Sequence, residues 1–182
     1  MTYYYSPFRR DYSLKNKGQD GACPFCEFAL LERQAIRKAD GRPVENEHYA
    51  WLVNYYPKFE GHTLIIPKRH FTSLDDETDS ESVSRANLIR RAVGILMQVY
   101  VGAGAEVFLQ YGPGSAATVS HLHWHVVPAM PDDPFRAHEK LGQYYTTEEG
   151  KGKTVIFPIT IKYARMDLQK VLSQFIGKAD HH

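Results

Sequence analysis

His121-Leu122-His123-Trp124-His125-Val126-Val127 is the stretch from which the rest of the chain is read. In an extended strand successive side chains alternate between faces, so His121, His123 and His125 share one face and Leu122, Trp124 and Val126 the other. The second set is a core face. The first is unusual, because three imidazoles in a row add little to a core and repel one another when protonated. It can be a solvated face, a row of separately hydrogen-bonded histidines, one zinc ion held by all three, or three residues with different roles. At about 3.3 Å per residue the outer two lie roughly 13 Å apart along a strand, against zinc–nitrogen bonds of about 2.0 to 2.1 Å. At most two neighbours can share one metal, which favours one central histidine with two supporting it. A neutral imidazole is a competent nucleophile near pH 7, and its phosphorus adduct is readily displaced again, which suits phosphoryl or nucleotidyl transfer. The ring nitrogen away from the substrate then needs a proton held by an acceptor such as a backbone carbonyl.

Outward from this stretch, segments 48–54 and 62–67 are short, β-branched or aromatic, and separated by Pro57 and Gly61, so they read as neighbouring strands. Thr78-Asp79-Ser80-Glu81 has the form of a capping box, and Leu88, Ala92, Ile95, Leu96 and Val99 recur at helical spacing. One long amphipathic helix ending near Gly102 is expected. Residues 105–111 and 119–127 read as strands joined across Gly112-Pro113-Gly114-Ser115, in a hairpin-like connection. Beyond a polar stretch at 131–152, residues 154–161 read as a strand and 163–176 as a helix. The pattern is α+β, on a largely antiparallel sheet of about five strands. Residues 1–22 form an irregular arm, 23–130 the domain, and 131–182 a C-terminal extension on or near it. The terminal Asp180-His181-His182 reads as a tail without a role.

With 22 basic and 21 acidic residues the formal charge is +1, which gives little reason to expect a nucleic-acid polymer as partner. No window is apolar enough to span a membrane, and the tyrosine-rich, polar start does not read as a signal peptide, so a soluble, cytoplasmic protein is expected. Cys23-Pro24-Phe25-Cys26 has the spacing of half a zinc site. A redox pair, lacking a surrounding βαβ pattern here, and two unligated thiols are the other readings. Gln110-Tyr111-Gly112-Pro113-Gly114-Ser115-Ala116-Ala117-Thr118-Val119 is either an ordinary Gly-Pro turn or a loop whose small residues let backbone N–H groups approach a phosphate.

The run His121 to Val127 resembles the His-φ-His-φ-His-φ-φ signature of the histidine triad (HIT) superfamily. Gly61-His62-Thr63-Leu64-Ile65-Ile66-Pro67-Lys68-Arg69-His70 is similar to that family's Gly-His-x-Leu-φ-φ-Pro-x-x-His segment, and the likeness covers roughly residues 20–130. It implies a HIT-like fold with one long helix and a nucleotidyl hydrolase or transferase activity. His123 would attack the α-phosphorus and carry the nucleotide, and His125 would assist at the bridging or leaving-group oxygen. The loop is similar to that of fragile-histidine-triad-type hydrolases, which implies that Gln110 contacts phosphates, that Asn54 binds ribose, and that Ala116, Ala117, Thr118 and Val119 line the phosphate site. Glutamine is usual where this chain has Ala117, so that amide's contact is missing.

The zinc-binding microbial branch implies a structural zinc held by Cys23, Cys26, His70 and His121, and relatives are usually homodimers whose sheets join. Three functions follow as expectations: hydrolysis of a dinucleoside polyphosphate or nucleoside phosphoramidate, phosphorolysis of diadenosine tetraphosphate, or nucleotide binding without turnover. A histidine rather than glutamine at His125 leans toward hydrolysis, and an intact His123 argues against the binding module.

Overall fold

A computed structural model describes residues 23–27, 32–55, 57, 60–115, 117–131 and 165–176. Four strands form one sheet: β1 Tyr49–Val53, β2 Thr63–Pro67, β3 Gly104–Leu109 and β4 Trp124–Ala129. Their order is β1-β2-β4-β3, with every neighbouring pair antiparallel. The long helix α1 is Asp79–Val99, and α2 is Arg165–Ile176. The strand expected at 154–161, the arm 1–22, the stretch 132–152 and the tail lie outside the described residues. Among the described residues no helix is long and apolar enough to cross a membrane.

Alternation along the strands divides the apolar residues between two faces. Tyr49, Trp51, Val53, Ile65, Leu122, Trp124 and Val126 meet Leu88, Ala92, Ile95, Leu96 and Val99 of α1, the five positions read from helical spacing. Leu168, Leu172 and Ile176 of α2 close the same core. On the opposite face Ala50, Leu52, Leu64 and Ile66 pack with Phe25 and Ala35. This second face carries the histidines.

The helix begins where the local code places it. Thr78 Oγ1 accepts from the Glu81 N–H at 3.3 Å, and Glu81 Oε2 accepts from the Thr78 N–H at 2.9 Å. Glu81 also takes two bonds from Arg69, at 2.9 and 2.8 Å, and this pairing holds its carboxyl down to about 2. One buried carboxylate therefore fastens both the first turn of α1 and the loop after β2.

The strand expected at 119–127 starts later, at Trp124. Ladder partners set its limit, because β3 ends at Leu109, the partner of Trp124, and the pairing with β2 runs no further than Ile65, its other partner. Before that point the backbone bonds elsewhere, with the Leu122 N–H donating to the Phe71 carbonyl at 3.0 Å. Alternation survives the change, since Leu122 stays with the main core and His121 and His123 face Phe25.

Gly61 adopts φ +62, and a Cβ there would lie 2.6 Å from Pro128 Cγ and 2.8 Å from Tyr100 Cε2. The close approach seats the start of β2 against β4. Gly61→Ala is expected to cost about 3 kcal/mol, combining the left-handed backbone with overpacking, and a urea denaturation series measures it. A loss below about 1 kcal/mol would mean that the backbone simply moves aside.

Candidate active site and metal centre

All three histidines of the triad are buried, with 0%, 6% and 7% of His121, His123 and His125 exposed. This rules out the solvated-face reading. Each ring instead has its own partners.

His121 Nε2 lies 3.1 Å from the Pro67 carbonyl. A carbonyl can only accept, so Nε2 carries the proton and the lone pair of His121 is on Nδ1. Burial, together with the nearby His70, pushes this histidine down to about 4, so it is neutral at physiological pH. Its Nδ1 lies 3.4 Å from Cys23 Sγ and 3.6 Å from Cys26 Sγ, and His70 Nδ1 lies 3.1 Å from Cys26 Sγ. The four ligand atoms all fall within 4.8 Å of one another. Ligands at about 2.0 to 2.3 Å from a tetrahedral centre stand about 3.3 to 3.8 Å apart. Two thiols and two imidazoles at these separations fit a four-coordinate metal ion, with the second nitrogen of His121 anchored on backbone as metal-binding histidines usually are. The segment 67–71 is thereby joined to 121–122 through two backbone-directed bonds and the ligand cluster.

His123 Nδ1 lies 2.9 Å from the His121 carbonyl, which again can only accept. Nδ1 is the protonated nitrogen and Nε2 keeps the lone pair, the tautomer a nucleophile requires. The ring also meets Phe25, at 5.1 Å between centroids and 66°, and His125, at 4.9 Å and 64°, both edge-on.

His125 is held by two residues to which the sequence reading gave no role. His62, only 1% exposed, brings Nε2 to 2.8 Å from His125 Nδ1, so the two rings share one proton. Phe108, directly opposite His125 in the β3–β4 register, stacks on it at 4.6 Å and 14°. Asn54 Nδ2 donates to His62 Nδ1 at 3.3 Å, which leaves Nε2 as the protonated nitrogen and makes a chain from Asn54 across the His62 ring to His125. His62 is two residues before Leu64, the cross-strand partner of His125, so period-two spacing was the available signal. Phe25 is inconspicuous in sequence because its cysteine neighbours draw the eye, and Phe108 depends on a register that composition does not reveal.

Gln110 follows directly on β3 and is half-buried, one residue beyond the partner of Trp124. Residues 112–115 are a self-closed turn, with Ser115 N–H and Oγ both donating to the Gly112 carbonyl at 3.0 and 2.8 Å. Ala117 N–H donates to Ser115 Oγ at 3.3 Å, Thr118 is half-buried, and Val119 packs against the cluster that contains Phe25. Ala116 lies outside the described residues.

The HIT domain family profile matches residues 41–132. An AP-4-A phosphorylase of Mycobacterium tuberculosis is 32% identical over 130 residues, 70% of this chain and 63% of that protein, so the likeness spans less than two thirds of the relative. A bis(5'-nucleosyl)-tetraphosphatase (asymmetrical) of Schizosaccharomyces pombe is 31% identical over 84 residues, 46% of each. Among solved structures, a Zn-bound histidine triad family protein from Mycobacterium smegmatis has the same fold, with a TM-score of 0.62 at 24% identity, covering 87% of this chain and 96% of that one.

Proposed function

Because this chain belongs to the HIT domain family, we propose that it cleaves a nucleotide at its α-phosphorus through a covalent nucleotidyl-His123. The observation that carries this reading is the His123 Nδ1–H bond to the His121 carbonyl, which leaves Nε2 as the attacking atom. Nε2 forms a bond to the α-phosphorus, the bond to the bridging oxygen breaks, and the polyphosphate departs with that oxygen. His125 stands beside His123 and assists at the bridging oxygen, its ring oriented by His62 and Phe108. A water molecule then displaces His123 from phosphorus, releasing a nucleoside monophosphate and one proton.

The substrate is a dinucleoside polyphosphate or a nucleoside phosphoramidate, and water is the acceptor. The relative that is a phosphorylase supports phosphate as the alternative acceptor, and the tetraphosphatase supports water. Asn54, Gln110 and residues 116–119 bind the nucleotide and its phosphates. Cys23, Cys26, His70 and His121 hold zinc, in keeping with their tetrahedral spacing and with the Zn-bound neighbour. Zinc there supplies a fixed structural tether and leaves phosphorus chemistry to the histidines.

Incubation with diadenosine tetraphosphate, with and without phosphate, separates the acceptors by chromatography of the products. AMP and ATP in phosphate-free buffer are expected. ADP formed only when phosphate is present would replace water by phosphate, and no turnover in either buffer, nor of an adenosine phosphoramidate, would overturn the assignment.

A further inference from the structure

Phe25 occupies the middle of the Cys23-Pro24-Phe25-Cys26 turn, which closes with the Cys26 N–H donating to the Cys23 carbonyl at 2.9 Å. The turn sits at the surface, with Cys26 exposed and Cys23 half-buried, yet Phe25 is only 8% exposed. Its ring points inward among Ala50, Leu52, Leu64 and Ile66, and meets His121 at 5.8 Å and His123 at 5.1 Å, both edge-on. His123 therefore touches both Phe25 and His125.

The hydrogen bond from His123 Nδ1 to the His121 carbonyl anchors one corner of the imidazole. A tilt carries Nε2 sideways, and an attacking atom misplaced by about 1 Å loses much of its in-line reactivity. The edge contacts with Phe25 and His125 oppose such a tilt. Phe25 is held by its packing among Ala50, Leu52, Leu64 and Ile66 and by the turn that bears it, whose two thiols approach His70 and His121.

We infer that Phe25 is a positioning residue, pressed by the Cys23–Cys26 turn against His123 to keep its Nε2 aimed at phosphorus. Ligation at the four-residue centre and alignment of the nucleophile are then one structural event. This role rests on His123 being the nucleophile, and it differs from a nucleotide contact, which would act on binding.

The test compares the zinc-loaded wild type with Phe25→Leu and Phe25→Tyr. Phe25→Leu is expected to retain the wild-type zinc content and to lower kcat about tenfold while KM changes by less than about twofold. In ¹⁵N-edited spectra the His123 Nδ1–H proton, identified by its absence in His123→Gln, should exchange faster with solvent in Phe25→Leu. Phe25→Tyr, which keeps the ring, should restore both kcat and that proton. A rise in KM with kcat intact, an unchanged His123 proton, or loss of zinc in Phe25→Leu would each overturn the inference. The underlying reading is checked separately by mass spectrometry of the wild type after rapid quenching. Absence of a nucleotidyl adduct sinks that reading and this role with it, whereas an adduct with normal kinetics in Phe25→Leu sinks only the positioning role.

Discussion

His123→Ala is expected to lower turnover of a dinucleoside polyphosphate by about a thousandfold or more while nucleotide affinity stays within a few-fold of wild type. The asymmetry follows from the site. His123 is 6% exposed, with one nitrogen committed to the His121 carbonyl, so its ring has a single nitrogen to offer a substrate. Alanine removes the bond-forming atom and leaves Asn54, His62 and His125 in place. Calorimetry with a non-hydrolysable analogue measures the retained affinity, and the nucleotidyl adduct should vanish. Turnover at the wild-type rate would disprove covalent catalysis at this position.

The double substitution Cys23→Ser/Cys26→Ser should eliminate bound zinc, expected by elemental analysis at about one ion per wild-type chain, and should lower Tm by about 10 °C or more. Without the ion, the joint between 67–71 and 121–122 rests on the His121 Nε2–H bond to Pro67 and the Leu122 N–H bond to Phe71. Two hydrogen bonds contribute about 1 kcal/mol each, well below what a structural metal adds. A chelator added to the wild type should bring its melting curve toward that of the variant. A wild type that melts equally high without metal would remove zinc from the account.

Local features were legible in the chain and long-range ones were not, for a physical reason visible at particular residues. Thr78 and Glu81 announce the start of α1 because a capping box is completed within four residues. Leu88 to Val99 announce the buried face of α1 because helical spacing is a property of the helix alone. Leu122, Trp124 and Val126 likewise declare the core side of their strand. Where the strand begins is another matter, because Trp124 is set by its partners Ile65 and Leu109, which belong to other strands. The stack of Phe108 on His125 depends on that same register. Cys23 and Cys26 approach His70 and His121 across separations of 44 to 98 residues, and spacing supplied only half of that set. Resemblance supplied the other half. His62 was in plain view in Gly61-His62, but its hydrogen bond to His125 belongs to the folded sheet and not to any local pattern.

The family profile ends at residue 132, whereas the core continues into α2, where Leu168, Leu172 and Ile176 are 3%, 0% and 0% exposed. Gln169 Nε2 also donates to the Ala35 carbonyl at 2.6 Å, tying this helix back to a segment ahead of β1. On the ribosome the sheet, α1 and the histidine stretch emerge before this helix does. Until it arrives, the core lacks Leu168, Leu172 and Ile176, and the nascent chain is exposed to the same hydrophobic association that its completed core prevents. Kinship and self-sufficiency thus have different borders in this protein. The shared piece carries the chemistry, and a later piece decides when that chemistry has a closed core to stand on.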